Sequence, residues 1–276
     1  MTEPGKAPQP PVTDRFTDRV PIRVPARHNP RLTKLVERVN ESDEVYALWV
    51  AQNVNAVDRL HMSDHGPVHV QIVANSALRL LRLLAEAGAE PAVCTDYGLD
   101  PRDAEVVVVL AALFHDVGMS IQRESHESFS LFVAQPILRE LLGEVYEEPT
   151  ATLVRSEILH AIIAHRSGGT PLTLEAGVLR VADALDMEQG RSRIPFDAGS
   201  TSIHAVSAAA IANVHIEKGD QTPVRIRVDM TNSAGVYQVD KLLRDKLLGS
   251  GLEAFLSVEA HIEGETEKRI VRSFRL

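Results

Sequence analysis

One uninterrupted apolar run constrains the fold of this chain more than any other feature. Residues 106–114 read VVVVLAALF, and His115 and Asp116 follow directly. The alanines and leucines favour a helix over the competing interpretation of the valines as a strand. A helix that is apolar on every face belongs in the centre of a fold, and nine residues are too few to span a bilayer. The sequence therefore predicts a buried central helix, capped by Asp100 and Pro101, that ends in two polar side chains.

Helical patterns flank this run, and after Pro195 the hydrophobic pattern changes from helical spacing to alternation. Further helices are expected near residue 31, after Ser42, from about 68 to 88, and at about 125–142, 150–165 and 172–188. Alternating patterns around Gly219 and over residues 255–276 predict two hairpins, with a helix over 239–248 between them. We therefore expect a mainly α fold, with a helical bundle domain at 31–195 followed by a small α+β domain at 196–276.

The N-terminus and the composition narrow the class of protein. Residues 1–30 carry seven of the fifteen prolines, which predicts a flexible or extended arm. The chain starts without a hydrophobic stretch, so we expect a cytoplasmic protein with no membrane contact. With 29 Lys+Arg against 38 Asp+Glu, the net charge of -9 argues against a surface for extended nucleic acid. Cys94 is the one cysteine, which excludes a cysteine-based zinc site.

Histidines are concentrated in the helical region, where seven of the eleven lie between His61 and His165. A buried aspartate such as Asp116 needs a partner, and a divalent metal is one. The doublet His115-Asp116 alone is weak evidence, because His115 could instead cap helix carbonyls. His69 on an amphipathic helix and Asp183 at the end of RVAD add metal-ligand chemistry at two more places.

The order of these residues resembles the HD superfamily of metal-dependent phosphohydrolases. In that family the first histidine opens an H-x-x-x-V-A helix, as His69 does in HVQIVA. The central doublet matches His115-Asp116, and the last aspartate follows V-A, as Asp183 does. The resemblance spans residues 69–183 and implies an HD-type helical bundle in which these four residues bind metal.

Two more histidines resemble the binuclear branch of that family. Its members add one histidine after the doublet and one before the last aspartate, which here are His126 and His165. By that resemblance these two hold a second metal, with Asp116 bridging. His160 points about 140° away from His165 on a helix, so we interpret it as a core or outer-sphere histidine. Asp186 is the substitute ligand if Asp183 is not one.

The resemblance implies hydrolysis by a metal-activated water, with one or two divalent transition metals per chain (Mn, Fe, Co, Ni or Zn, with Mg as a further option). The expected substrate is a small nucleotide-like phosphomonoester or phosphodiester. Asp116, His65 and Arg123 are the candidate catalytic residues, since an imidazole and a guanidinium can donate to phosphate. Arg166 and Arg191 also flank the ligand segments.

Two other functions fit the same sequence. The same ligand set fits an HD-type di-iron oxygenase, and the chain could instead be a nucleotide-binding regulatory module without turnover. In either case the strands of the C-terminal domain could pair two chains into a homodimer, because exposed strand edges invite pairing.

Overall fold

The computed structural model describes residues 19–188, 207–262 and 273–275 of the chain. It is mostly helical with a small sheet near the C-terminus, which confirms the expected fold class. The helices of the first part are α1 (Pro30–Glu41), α2 (Asp43–Asn53), α3 (Pro67–Glu86), α4 (Ala92–Tyr97), α5 (Pro101–Phe114), α6 (His126–Gly143), α7 (Thr150–Ala164) and α8 (Leu174–Ala184).

The predicted central helix is α5, and the strand interpretation of its valines is wrong. Residues 106–114 are completely buried, and α5 packs against α3, α7 and α8. Its start has the expected cap: the Asp100 side chain accepts from the Arg102 N–H, the Asp103 side chain accepts from the Asp100 N–H, and Pro101 occupies the first turn. The apolar run therefore anchors the bundle from its middle.

Other helix boundaries follow the same local chemistry. The Ser42 hydroxyl accepts from the N–H of Val45 at 3.2 Å and starts α2. Pro67 stands in the first turn of α3, where its missing N–H costs nothing. A π-helical turn, Val54–Arg59, continues the helix expected after Ser42. The short helix α4, which precedes α5, was not predicted.

Within the described residues, the sheet has four strands in the order β1-β2-β3-β4, namely β1 (Ile211–Lys218), β2 (Val224–Met230), β3 (Leu256–Ile262) and β4 (Ser273–Arg275). The two predicted hairpins are present, because β1 pairs with β2 and β3 with β4 in antiparallel fashion. β2 and β3 are parallel, so the chain between them must cross over the sheet. The crossover contains a π-helical turn, Gln238–Leu243, and the helix α9 (Arg244–Leu247).

The arm predicted over residues 1–30 is extended at residues 19–29 and packs against the core there. Ile22 and Ala26 are buried in the core, so this extended segment is held by apolar contacts. Its backbone forms hydrogen bonds with side-chain amides and not with a neighbouring strand. The N–H of Ile22 donates to Asn40 at 2.7 Å, and the N–H of Arg23 donates to Gln71 at 2.7 Å. Residues 1–18 of the predicted arm lie outside the described residues.

The helical bundle and the sheet share one hydrophobic core. β1 packs against α3, and α9 packs against α8. The expected boundary at residue 195 lies outside the described residues, so the division into two domains stays a prediction. Within the described part of the chain, we find no helix with the length and apolar character needed to cross a membrane.

Candidate metal centre

The structure brings the side chains of all six predicted ligands together where α3, α5, α6, α7 and α8 meet. The four histidines and Asp116 are buried, and Asp183 is partly open, with 18% of its side chain exposed. Subsets of these atoms lie within 4.8 Å of one another, as a shared metal ion requires. The six residues are His69, His115, Asp116, His126, His165 and Asp183.

Helix ends orient two of the histidines. His115 and His165 stand at the C-caps of α5 and α7. The last carbonyls of a helix have no partner within it, so a nearby ring N–H can use them. Nδ1–H of His115 donates to the Ala112 carbonyl at 2.7 Å, and that of His165 to the Ile162 carbonyl at 2.5 Å. These bonds orient each ring so that its Nε2 faces the cluster.

His69 needs a different acceptor, because it lies in the first turn of α3. The carbonyl three residues before it belongs to Gly66, and that carbonyl accepts from the N–H of Val70. Nδ1–H of His69 donates instead to Oδ2 of Asp186 at 2.5 Å. The structure thus places Asp186 on the outer side of His69, whereas Oδ1 of Asp183 lies 3.8 Å from its Nε2. A carboxylate behind a histidine is a common way to orient a metal ligand.

Asp116 lies between two pairs of histidines and presents a different oxygen to each. Its Oδ2 lies 3.3 Å from Nε2 of His115 and 3.4 Å from Nε2 of His69. Its Oδ1 lies 3.0 Å from Nε2 of His126 and 3.9 Å from Nε2 of His165. The carboxylate therefore divides the cluster into two groups of donor atoms that share one residue.

The donor set fits a divalent transition metal. Neutral imidazole nitrogens and carboxylate oxygens are the ligands that Zn, Fe, Co, Ni and Mn accept. Asp183 joins the group on the Oδ2 side of Asp116, since its Oδ1 lies 3.6 Å from Nε2 of His115. On the other side, Glu127 adds a carboxylate within reach of His126 and His165.

The electrostatics of the cluster also favour a cation. Burial opposes the charging of His115, but Asp116 and Asp183 outweigh it and raise the pKa of His115 to about 10. Burial would raise the carboxyl pKa values of Asp116 and Asp183; the neighbouring cationic groups hold them well below the usual range. Burial, assisted by the charges of Lys246 and His115, lowers the pKa of His165 to about 3. The interior thus holds ionised carboxylates that require positive charge beside them.

Tight backbone packing sets the distance between the doublet and His126. A Cβ on Gly118 would lie 2.0 Å from the carbonyl oxygen of His126, so α6 rests directly on the turn after Asp116. The Ser130 hydroxyl donates to the His115 carbonyl at 2.7 Å and accepts from the Gly118 N–H at 2.9 Å. Ser125, at φ 56°, adopts a left-handed conformation just before His126. No sequence pattern predicts that Gly118 and Ser130 contact the segment around His115 and His126.

The two other candidate catalytic residues lie at the edge of the cluster. His65 is buried, with Nε2 4.0 Å from Oδ2 of Asp116, and its Nδ1–H donates to the Ser63 carbonyl at 2.7 Å. Arg123 is exposed, and its Nη1 lies 2.8 Å from Nδ1 of His126. Arg123 can face a molecule that enters from solvent, whereas His65 lies beneath the surface beside Asp116.

The remaining residues that the sequence singled out lie elsewhere. Nε2 of His160 accepts from the N–H of Leu172 at 3.0 Å, in the loop before α8. Arg166 is exposed just after His165, and Arg191 lies outside the described residues.

Sequence reasoning missed Lys246, which belongs to α9 of the C-terminal part. Its ammonium donates to Oδ2 of Asp183 at 3.2 Å and to the carbonyl of His165. No motif surrounds it, and it resembles its exposed neighbours Lys241 and Arg244 in the sequence.

Comparison with known proteins agrees with the geometry. The model of the HD domain family matches residues 69–188, a range that contains all six predicted ligands. An uncharacterized protein of Methanocaldococcus jannaschii, MJ1020, is 41% identical over 231 residues, which cover 84% of this chain and 89% of that protein. The chain belongs to the HD superfamily. HD domains are a family of metal-dependent hydrolases and bind divalent metals, and this HD chain has His and Asp groups that could hold one. The HD match ends before the sheet, so Lys246 lies outside it.

Proposed function

We propose that this HD protein is a phosphohydrolase that cleaves a phosphomonoester or phosphodiester bond of a small nucleotide-like substrate. The observation that carries the proposal is the position of the Asp116 carboxylate, whose two oxygens face different histidine pairs. A carboxylate in that position can be shared by two cations, and a pair of divalent ions is suited to phosphoryl chemistry.

The residues divide into two ligand sets around Asp116. One would comprise His69, His115 and Asp183 with Oδ2, and the other His126 and His165 with Oδ1 and with the Glu127 carboxylate in reach. Divalent ions bound there supply acidified water and neutralise charge on phosphoryl oxygens. No serine or cysteine nucleophile is needed for this reaction.

Side chains at the edge of the cluster handle the substrate. The guanidinium of Arg123 lies on the solvent side of His126 and can donate two bonds to one phosphate. Nε2 of His65 is held toward Asp116 by the bond from Nδ1–H to Ser63, so it can pass a proton at the reacting phosphate. Burial of the four predicted histidine ligands keeps bulk water from them.

The proposal also covers the compartment, the partner and the oligomeric state of the protein. The cytoplasm is the proposed compartment, and the partner is a small phosphorylated molecule. β1 is at one edge of the sheet, so two chains could pair there into a homodimer.

The test combines metal content with turnover. Purified protein, loaded with Mn²⁺ without oxygen, is assayed on p-nitrophenyl phosphate and bis(p-nitrophenyl) phosphate. We expect phosphoester hydrolysis in the wild type and loss of both metal and hydrolysis in Asp116→Ala. Asp229→Ala is the matched control, since Asp229 also contacts a histidine, His215, at 3.0 Å, but in the sheet.

Three outcomes would contradict the proposal. Turnover by metal-loaded Asp116→Ala at the wild-type rate would show that Asp116 is not needed for hydrolysis. Bound iron with oxygen consumption and no phosphoester hydrolysis would favour the di-iron oxygenase. A tightly bound nucleotide without turnover would favour the regulatory module.

A further inference from the structure

Lys246 reaches the candidate metal centre from the C-terminal part of the chain. Its ammonium contacts two predicted ligands at once, the carboxylate of Asp183 and the backbone of His165. The His165 carbonyl lies at the end of α7, where helix carbonyls lack partners, and a lysine there is favourable. Only 17% of the Lys246 side chain is exposed, so it is held between α9 and the cluster.

A buried arginine fixes the helix that carries Lys246. Arg180, on α8, is 3% exposed and donates to the backbone carbonyls of Lys246 at 2.8 Å, Asp245 at 3.1 Å and Leu248 at 3.3 Å. It also donates to the Gly169 carbonyl at 2.5 Å, in the loop after His165. α8, which carries Asp183, is thereby tied to α9 and to that loop.

The two oxygens of Asp183 have different surroundings. Oδ1 faces the imidazoles, 3.6 Å from Nε2 of His115 and 3.8 Å from Nε2 of His69. Oδ2 faces away and accepts from Lys246 at 3.2 Å. We propose that Lys246 is a positioning residue of the metal centre, which holds Asp183 so that Oδ1 alone is presented to the metal. The inference rests on the metal site of the proposed function, but not on its reaction.

Asp183 is the predicted ligand for which such an anchor matters most. Its side chain is 18% exposed, whereas that of Asp116 is 5% exposed and those of the four histidines at most 6%. A partly exposed carboxylate can rotate out of place, and the bond to Lys246 restrains it. The opposing effect is repulsion between the ammonium and a bound cation. Asp116, Asp183 and Asp186 surround the site with negative charge that offsets this repulsion.

The proposal assigns a role to the C-terminal part of the chain. The sheet and α9 lie beyond residue 188, where the HD match ends. If Lys246 positions Asp183, then the C-terminal part of the chain completes the metal centre. This role is separate from subunit pairing or ligand sensing.

The test measures metal affinity in full-length variants by competition with a chelator, using Mn²⁺. Lys246→Met keeps the length of the side chain and removes its donors, and we expect affinity to fall about 10- to 100-fold, as is typical for outer partners of metal ligands. Lys246→Arg keeps charge and donors and should stay within about threefold of wild type on the same scale. Lys241→Met is the matched control, because Lys241 pairs with Asp245 at 3.1 Å on the surface of the same segment.

A second readout separates positioning from general stability. The visible spectrum of bound Co²⁺ reports coordination directly, so Lys246→Met should change it while Lys241→Met should not. Lys246→Met removes a donor from two acceptors, so its metal-free form is expected to melt at a lower temperature, and the Co²⁺ spectrum of the folded protein separates positioning from this loss of stability. If Lys246→Met fails to fold, Lys246→Gln replaces it with the same expectation, because glutamine is too short to contact both acceptors.

Unchanged affinity and an unchanged Co²⁺ spectrum in Lys246→Met would overturn the proposal. Tighter binding would also overturn it, because charge repulsion would then be the main effect of Lys246. Failure of the wild type to bind metal would instead contradict the proposed function, so the two failures are distinguishable.

Discussion

Oδ1 of Asp116 lies 3.0 Å from Nε2 of His126, on the side of the carboxylate that faces away from His115. His126 therefore belongs to the group that would hold a second ion. In His126→Ala we expect metal content to fall from two ions per chain to one, because this side then loses one of its two predicted imidazole ligands and keeps His165 with the carboxylates of Asp116 and Glu127, a weaker set. Elemental analysis after Mn²⁺ loading measures this. His160→Ala, on α7 near His165, is the control and should keep both ions; two ions in His126→Ala would contradict the assignment.

Asp186 is expected to act through His69. Removing its carboxylate in Asp186→Ala leaves Nδ1 of His69 without its acceptor, so the ring can turn or change tautomer. We expect metal affinity to fall about 10- to 100-fold. Asp186→Asn can still accept from Nδ1–H and should retain most of the affinity. Nitrogen NMR of the His69 ring reports the tautomer directly; an unchanged tautomer and affinity in Asp186→Ala would show that the contact is dispensable.

Any side chain at position 118 is expected to destabilise the protein. An added Cβ would lie 2.0 Å from the His126 carbonyl and 2.4 Å from the Ser130 N–H, and these are backbone atoms that cannot turn aside. Gly118→Ala should lower the free energy of unfolding by about 1–3 kcal/mol, as overpacking does, and weaken metal binding through His126. Gly143→Ala is the matched control, since a Cβ there meets nothing within 4 Å. Urea unfolding measures both variants, and equal stability of the two would refute the close contact.

Asp100 is expected to make the stability of α5 depend on pH. Its bonds with the Arg102 side chain and backbone hold the pKa of Asp100 below its usual value. The stabilisation is therefore present above the unfolded pKa of about 3.9 and is lost as pH falls through the lower folded pKa.

Replacement of the cap tests this directly. Asp100→Ala should cost about 1 kcal/mol at neutral pH, with a smaller difference from wild type below about pH 4. Asp100→Asn is also a good cap and should lose less. Denaturant unfolding across pH measures the three proteins; a cost in Asp100→Ala that stays constant into acid would contradict the role of the charge.

Features set by local chemistry were accessible from the sequence. The caps at Ser42 and Asp100, the buried run before His115 and the two hairpins depend on neighbouring residues, and the structure has them. The order of the histidines and aspartates indicated the family, and the family comparison confirmed it.

Features set by contacts between distant segments were not accessible. That Asp116 lies between two histidine pairs was expected from the family resemblance alone, because this arrangement depends on how α3, α6 and α7 meet at the end of α5, which no spacing along the chain encodes. Lys246 lies 63 residues from Asp183 and looks like a surface lysine until α9 is placed on α8. The buried Ile22 was missed because proline density near it indicates loss of regular structure, whereas side-chain amides can satisfy an extended backbone equally well.

Anomalous X-ray scattering from a crystal loaded with Mn²⁺ locates the bound ions relative to Asp116. If its carboxylate is shared by two metal sites, two manganese peaks appear, one beside Oδ2 among His69, His115 and Asp183, and one beside Oδ1 between His126 and His165. A single peak beside Asp116, no peak there, or peaks away from these histidines would show that Asp116 is not shared.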